Sequence, residues 1–298
     1  MFRRSRRNAE DKKEKVHRPS RATRLFVVLR KLKKSEMAIA GLGIVSFMSM
    51  VALLAPIIAP YAPEWKGIAR QAPSMEHFFG TDNLGRDMLT LIMHGARISI
   101  YVGVASVLIE VVIGLSVGMA AGYFGGIIDE ILMRIADVIF TLPTLMMLLL
   151  AVSMFQVRGI HIIILVIGGL GWPFLARVVR SEYLSFREET YVEAAKSMGA
   201  TSWRIMVRHI LPNILSVVIV IATMDIPWAI LYEATLTFLG FGDPASSSWG
   251  VLLQRGEEHL RTSWWIMTFP GVALLITSLG FNLLGDGLRD ALDIKLRE

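Results

Sequence analysis

The sequence predicts an all-α integral membrane protein with six transmembrane helices and both termini in the cytoplasm. Three observations favour this fold class. The 298 residues are 54% hydrophobic and only 19% charged, and the mean hydropathy is +0.54, which is not typical of a water-exposed surface. Six segments are long and apolar enough to cross a bilayer, which requires about 20 helical residues each. The basic residues are concentrated on one side of these segments.

The predicted spans follow the uncharged runs of the chain. The first and last runs are the clearest, with 23 uncharged positions at 37–59 and 22 at 264–285. The fourth has only 17 uncharged residues, from Ile160 to Ala176, so it could be tilted or short. The six predicted spans are residues 37–59, 98–122, 131–156, 160–179, 213–240 and 264–287.

Basic residues determine the predicted orientation, because segments rich in Lys and Arg resist translocation. Residues 1–34 contain 14 of the 31 Lys and Arg residues. They are predicted to form a cytoplasmic tail whose end, residues 24–34, rests on anionic headgroups. With this tail inside, 24 basic residues lie on inner segments and seven on outer ones. The tail lacks interleaved aromatic residues, so no nucleic-acid partner is expected.

The predicted organisation therefore has four parts. The basic tail is followed by a first helix with an outer loop, by a membrane core that contains one sizeable cytoplasmic loop, and by a cytoplasmic C-terminus. The boundaries are 1–34, 35–97, 98–290 with the loop at 180–213, and 291–298.

The cytoplasmic loop has the pattern of two short helices that meet at a bend. Residues 182–198 have a helix-forming composition, and Gly199 stands where a left-handed residue would end that helix. Thr201 or Ser202 can cap the second helix. The second helix is expected to place three apolar residues on one side: Trp203, Met206 or Val207, and Ile210.

The end of the first loop helix combines one charge with little bulk, at Glu193, Ala194 and Ala195. Such a face suits a helix that must fit closely into a groove of another protein. From composition alone, a helix pair resting on the membrane surface explains the loop equally well.

The exact string of the loop resembles the EAA loop of ABC importer permeases, which docks on the ATPase subunit. Glu193-Ala194-Ala195 is followed after three residues by Gly199, and then by Leu211-Pro212. His209 departs from the short form of the pattern, which often has Ile there. The resemblance implies an ATPase-coupling role for Glu193, Ala194, Ala195, Gly199, Leu211 and Pro212.

Three further strings narrow the resemblance. Residues 77–87 read HFFGTDNLGRD, residues 238–242 read FLGFG, and residues 282–290 read NLLGDGLRD. Together they are similar to the C-type permease of dipeptide/oligopeptide/nickel ABC importers. The resemblance implies a type I importer permease fold in a prokaryotic inner membrane. The implied partners are a B-type second permease subunit, two ATP-binding subunits and an extracytoplasmic solute-binding protein.

The substrate implied by the resemblance is a di- or oligopeptide. Nickel complexes, glutathione, opines and oligosaccharides stay open, because no cluster in the chain decides among them. The chain contains no G-x-x-x-x-G-K-[ST] string, so ATP and Mg are expected in the partner ATPases and no enzymatic activity is expected here. No cysteine and no histidine spacing typical of a metal site occurs either, so no cofactor is expected in this chain.

Four carboxylates fall within the predicted membrane depth, where each should face protein, water or a partner instead of lipid. Asp225 and Glu233, eight residues apart, are expected on about the same face of the fifth helix. A hydrogen-bonded packing role and a cation- or amine-binding role both fit. The candidates for the transport pathway or a subunit interface are Glu110, Asp137, Asp225 and Glu233.

Other residues in and near the spans suggest local structure. Asp82, Arg86 and Asp87 in the outer string could close an ion-pair network. A set of small residues spaced by four would allow close helix contact, and four prolines are expected to bend their spans. The small residues are Gly114, Gly118 and Gly122, and the prolines are Pro143, Pro173, Pro227 and Pro270.

Two other classes of function compete with an ATP-driven permease. An ion-coupled secondary carrier could use Asp225 and Glu233 as proton or cation sites, but it has no need for an EAA-like loop. An intramembrane aspartyl protease would need Asp286 to share a cavity with Asp225. Asp286 lies at the predicted inner edge of its span, which disfavours that class.

Overall fold

The computed structural model describes residues 30, 32, 35–155 and 158–292, and the regular structure of these residues is helical apart from one isolated bridge between Thr81 and Asp87. The predicted basic tail lies almost entirely outside the described residues, as does most of the predicted segment 291–298. The helices are α1 (Glu36–Ile58), α2 (Met88–Phe124), α3 (Gly126–Thr141), α4 (Thr144–Ser153), α5 (Ile160–Gly171), α6 (Pro173–Arg187), α7 (Thr190–Ser197), α8 (Ser202–Phe238), α9 (Trp249–Glu257) and α10 (Trp265–Leu292).

Four of the described helices, α1, α2, α8 and α10, are individually long and apolar enough to cross a membrane. Two bent pairs, α3 with α4 and α5 with α6, meet the same condition only when each pair is taken together. The described residues therefore contain four candidate spans, or up to six if each bent pair is one span.

α2 begins at Met88, well before the predicted start at residue 98. Its N-terminus is capped by Asp87, whose Oδ2 accepts a hydrogen bond of 2.8 Å from the amide of Thr90. A capped start satisfies amides that would otherwise lack partners in the first turn. The polar residues His94 and Arg97 obscured this start in the hydropathy pattern.

The third predicted span is not a continuous helix, because α3 and α4 meet at an angle of 94°. Leu142 has an extended backbone, with φ −94° and ψ 140°, and Pro143 follows it. Proline has no amide hydrogen and disfavours the helical conformation of the residue before it, so the break falls at this pair. α5 and α6 bend by 40° at Trp172 and Pro173. By contrast, Pro227 and Pro270 lie inside helices that continue past them.

The predicted close contact through small residues is confirmed between α2 and α6. Gly118 is buried, and a Cβ added there would lie 2.7 Å from the Cβ of Val179. Added Cβ atoms on Gly114 and Gly122 would likewise meet atoms of Leu175 and Tyr183. Three turns of α2 therefore present a groove without side chains, into which α6 packs.

Candidate functional site

The loop at 180–213 contains a break that the sequence did not predict. Residues 182–198 were expected to form one helix, but α6 ends at Arg187 and α7 starts at Thr190. Glu189 is extended, with φ −71° and ψ 140°. The break turns α7 so that Val192 and Ala195 are buried against Tyr183 of α6 and the start of α8. Tertiary packing thus overrides a helix-forming composition.

Gly199, just after the end of α7, has the left-handed conformation predicted for it, with a φ of +80°. The amide of Gly199 donates to the carbonyl of Lys196 at 2.9 Å, and the amide of Ala200 donates to the carbonyl of Ala195 at 3.1 Å. This pair of hydrogen bonds is a Schellman motif, which satisfies carbonyls at the end of a helix. The Thr201 side chain then caps α8 by accepting from the amide of Arg204. The bend is therefore fixed by local hydrogen bonds.

The start of α8 differs from the predicted amphipathic helix. Residues 205–210 form a π-helix, and Tyr183 donates a hydrogen bond of 3.1 Å to the carbonyl of Met206. Because a π-turn holds more residues than an α-turn, the apolar face shifts. Ile205, Met206 and Ile210 are buried, but Trp203 is 65% exposed. The prediction that Trp203 shares the side of Met206 and Ile210 is wrong with respect to burial.

The resulting tip of the loop has a distinct exposed surface. Glu193 and Ala194 face outward on α7, while Ala195 beside them is buried. Met198 and Trp203, at 82% and 65% exposure, flank the bend. Leu211 and Pro212 are half-buried at the first regular turn of α8. The six predicted coupling residues are therefore split between an exposed tip and a packed base.

Two of the four predicted carboxylates meet within the bundle. The carboxyl groups of Glu110 in α2 and Asp225 in α8 lie close enough to interact. Both line an open cavity of about 210 Å³. The backbone at Gly171 lies close to Glu110, since a Cβ added to this glycine would be 2.8 Å from Oε2 of Glu110. The rest of the wall includes four aromatic residues, Phe140, Phe174, Trp228 and Tyr232. The cavity thus combines one acidic pair with apolar and aromatic walls.

Asp137 is not a wall residue of this cavity. It accepts a hydrogen bond of 2.6 Å from Nη2 of Arg177, and both side chains are about half-exposed. The Arg177 guanidinium also lies 4.1 Å from the ring centroid of Phe140, which does line the cavity. A second ion pair, Asp129 with Arg180, joins the same helices, α3 and α6. Asp137 therefore fastens two helices beside the cavity.

Glu233 does not share the environment of Asp225. It is 2% exposed and accepts a hydrogen bond of 3.2 Å from Ser99 of α2. Both carboxyl groups nonetheless face α2, Asp225 towards Glu110 and Glu233 towards Ser99. The expectation that they lie on about the same face of the helix stays a prediction.

The string at 77–87 forms one ion pair and one His–Asp hydrogen bond instead of the predicted three-residue network. Arg86 binds Asp82 at 2.6 Å, and Asp87 pairs with His77 at 3.0 Å while capping α2. Trp265 of α10 donates a hydrogen bond of 3.1 Å to the carbonyl of Thr81. The roles of His77 and Trp265 could not be found from sequence, because their partners are distant or depend on the turn geometry. The loop is therefore anchored to two helices.

In the described part of the chain, no group of three or more His, Asp or Glu side chains could hold a metal ion. The chemistry that the arrangement offers is non-covalent. It consists of two neighbouring carboxyl groups in an open cavity, and of an exposed tip on a bend that local hydrogen bonds fix.

Comparisons with known proteins agree with this architecture. Residues 114–298 match the family described as binding-protein-dependent transport system inner membrane component. Residues 24–82 match the N-terminal TM domain of oligopeptide transport permease C. Dipeptide transport system permease protein DppC of Bacillus subtilis (strain 168) is 42% identical over 90% of this chain and 85% of its own length. Oligopeptide transport system permease protein OppC of the same strain is 38% identical over 100% of this chain and 98% of its own length.

A solved structure shares the fold. It is a chain of the MetNI methionine ABC transporter in an inward-facing conformation, with a TM-score of 0.54 and 24% identity. The match covers 68% of this chain and 97% of that chain.

Proposed function

Because the chain belongs to the family of binding-protein-dependent transport system inner membrane components, we propose that it forms one half of the translocation pathway of an ATP-driven importer of di- or oligopeptides. The observation that carries the substrate class is the similarity to permeases named for dipeptides and oligopeptides, over 90% and 100% of this chain. The chain is a multi-pass inner membrane permease subunit and not the ATPase of such a system.

The proposed topology has six spans with both termini in the cytoplasm. Each bent pair, α3 with α4 and α5 with α6, then crosses as one broken span. The distribution of 24 basic residues on inner segments against seven on outer ones supports this orientation. Residues 1–34 and 291–298 would then be cytoplasmic, as would the loop at 180–213.

The proposed partners are a homologous second permease subunit, two ATP-binding subunits that hold ATP and Mg, and an extracytoplasmic solute-binding protein. The tip around Gly199 would contact an ATPase. Its geometry supports this role, because Glu193 offers an exposed charge, Ala194 adds little bulk, and Met198 and Trp203 offer exposed apolar surface. Leu211 and Pro212 would support the tip from its packed base.

The proposed pathway includes the cavity of Glu110 and Asp225. A passing peptide presents amide groups and a terminal ammonium, which an acidic pair and aromatic walls can contact without covalent chemistry. Asp137 would hold the cavity wall through Arg177, and Glu233 is not assigned to the pathway.

Uptake assays test the function itself. Proteoliposomes that contain this chain with its partner subunits and solute-binding protein should accumulate a labelled dipeptide or oligopeptide only when ATP is supplied. An excess of unlabelled peptide should compete, whereas a nickel complex or an oligosaccharide should not. Dissipating the ion gradient with an ionophore is the control. Uptake that needs the gradient but not ATP would instead indicate an ion-coupled carrier.

Cysteine labelling tests the topology, and the chain has no native cysteine to interfere. Single cysteines at Asn83 and Ala245, both exposed on proposed outer segments, should react with an impermeant thiol reagent in intact cells. Cysteines at Ser197 and Glu298 should react only after the membrane is opened. Labelling at position 298 in intact cells would contradict the six-span topology.

Loop variants test the coupling contact. Gly199→Val should introduce about 1–2 kcal/mol of strain by forcing a β-branched residue into the left-handed region. Glu193→Lys should reverse the exposed charge. Both are expected to keep near-normal membrane abundance, because the loop lies outside the spans, but to lose copurification with the ATPases and substrate-stimulated ATP hydrolysis.

Matched controls lie in the same loop. Ser197→Val places the same side chain on an exposed α7 position, and Glu188→Lys makes the same charge change just before α7. Both should retain copurification and hydrolysis. Normal transport in Gly199→Val and Glu193→Lys would reduce the loop to a surface scaffold.

A cavity-filling pair tests the pathway. Thr144 lines the cavity, and Thr141, three residues earlier, is exposed and is not a wall residue. Thr144→Trp should lower ATP-driven uptake by roughly tenfold or more, because a Trp side chain occupies much of so small a space. Thr141→Trp should stay within about twofold of the parent. Equal uptake by the two variants, at equal membrane abundance, would exclude the cavity from the pathway.

A further inference from the structure

The short helix α9, which is not one of the candidate spans, is inserted between α2 and α8. Trp249 in its first turn is fully buried, and the ring N–H donates a hydrogen bond of 3.1 Å to the carbonyl of Ile92 in α2. A Cβ added to Gly95 would lie 2.6 Å from the carbonyl oxygen of Ser247. A Cβ added to Gly250 would lie 2.7 Å from the Cα of Ala234 in α8. The N-terminus of α9 therefore contacts the backbones of two long helices.

Two hydroxyl groups receive hydrogen bonds from the first turn of α9. The amide of Trp249 donates to Oγ of Ser99 at 3.2 Å, and the amide of Val251 donates to Oγ of Ser248 at 3.5 Å. Since each hydroxyl accepts from a helix amide, its own hydrogen is left to donate elsewhere.

Both hydroxyls lie beside the Glu233 side chain. Ser99 donates to Oε2 at 3.2 Å, and the Ser248 hydroxyl interacts with the same carboxyl group. Glu233 is 2% exposed and forms no ion pair within the described residues. The cost of burying its carboxyl group is offset by hydroxyl donors and by the positive end of the α9 dipole. Glu233 thus ends a chain of two hydrogen bonds that begins at the amide of Trp249, and it also interacts with the serine that accepts from the amide of Val251.

We propose that Glu233 is a positioning residue that holds the N-terminus of α9 between α2 and α8 by accepting from Ser99 and Ser248. The three elements then form one fixed unit at the end of the bundle opposite the cytoplasmic loop. This assignment concerns packing geometry, and it does not depend on which solute is transported.

The substitution Glu233→Gln distinguishes the proposed hydrogen-bonding role from a space-filling role. A carboxylate has two acceptor oxygens, whereas an amide has one and adds two donors. In Glu233→Gln, both hydroxyls compete for a single amide oxygen beside an NH2 group that can only donate. If Glu233 only fills space, Gln should replace it without effect, because the two side chains have nearly the same volume.

Accessibility of α9 provides the test. A cysteine at Val251, which is 2% exposed on α9, should react slowly with a maleimide in opened membranes that contain the full chain. Opened membranes expose both faces, so the result is independent of the proposed topology and of transport. A cysteine at Leu260, which is 51% exposed, reports the reactivity of an accessible site.

Glu233→Gln and Ser99→Ala should each raise the labelling rate at position 251 by roughly tenfold, the factor expected when one hydrogen bond to a charged group is lost. Ser106→Ala is the matched control. Ser106 is equally buried on α2, but its hydroxyl has no hydrogen-bond partner in the described structure, so the rate should not change. Labelling at position 260 should stay constant throughout.

Two results would overturn the proposal. One is unchanged protection of position 251 in Glu233→Gln, which would assign Glu233 a space-filling role. The other is an equal effect of Ser99→Ala and Ser106→Ala, which would mean that any cavity in α2 loosens α9. If Glu233→Gln fails to accumulate in membranes, the comparison of the two serine variants decides alone.

Discussion

The fold depends on the close packing of neighbours against one central helix, α2. Glycines along the length of α2 allow different elements to pack closely against it. Gly95 faces the start of α9, Gly103 faces Ile230 of α8, and Gly118 faces α6. α5 also approaches α2 closely, because its own Gly168 lies against the carbonyl of Ser106. In lipid the hydrophobic effect does not drive helices together, so van der Waals contact at such short range must supply much of the association. The small residues of α2 therefore determine which helices surround it.

Local features of the sequence were sufficient where the cause is local. Gly199 ends α7 in the left-handed region, and Thr201 caps α8, because a few neighbouring residues fix both conformations. The spacing of Gly114, Gly118 and Gly122 likewise revealed a helix contact, although not its partner α6. The break before α7 and the π-helix at 205–210 could not be predicted, since both arise from burial of Val192 and Ile205 against distant residues. The different environments of Asp225 and Glu233 also depend on residues of other helices, which the sequence of α8 alone does not reveal.

The four carboxylates, which look alike in sequence, have three kinds of environment. Glu110 and Asp225 share an open cavity, Asp137 lies in a half-exposed ion pair, and Glu233 is enclosed by hydroxyl donors. A charge in a low-dielectric region requires compensation, but the source of that compensation decides what the residue can do. An open acidic pair is available to a solute. An enclosed carboxylate whose partners are all side chains of its own protein can only hold those partners in place.

The breaks in the helices and the cavity coincide in space, and this coincidence suggests how the proposed permease would move. Pro173 begins α6 and also lines the cavity, and Thr144 of the cavity wall follows Pro143 at the 94° bend. α6 then runs without interruption from Pro173 to Arg187, and its last turns already belong to the loop at 180–213. Because Gly118 and Gly122 fix α6 to α2, a displacement of the loop cannot be absorbed by sliding between these two helices. On the proposed function, the displacement of the loop must be taken up at the two proline breaks, which border the cavity. The fixed unit of α2, α8 and α9 leaves the opposite end of the bundle unchanged.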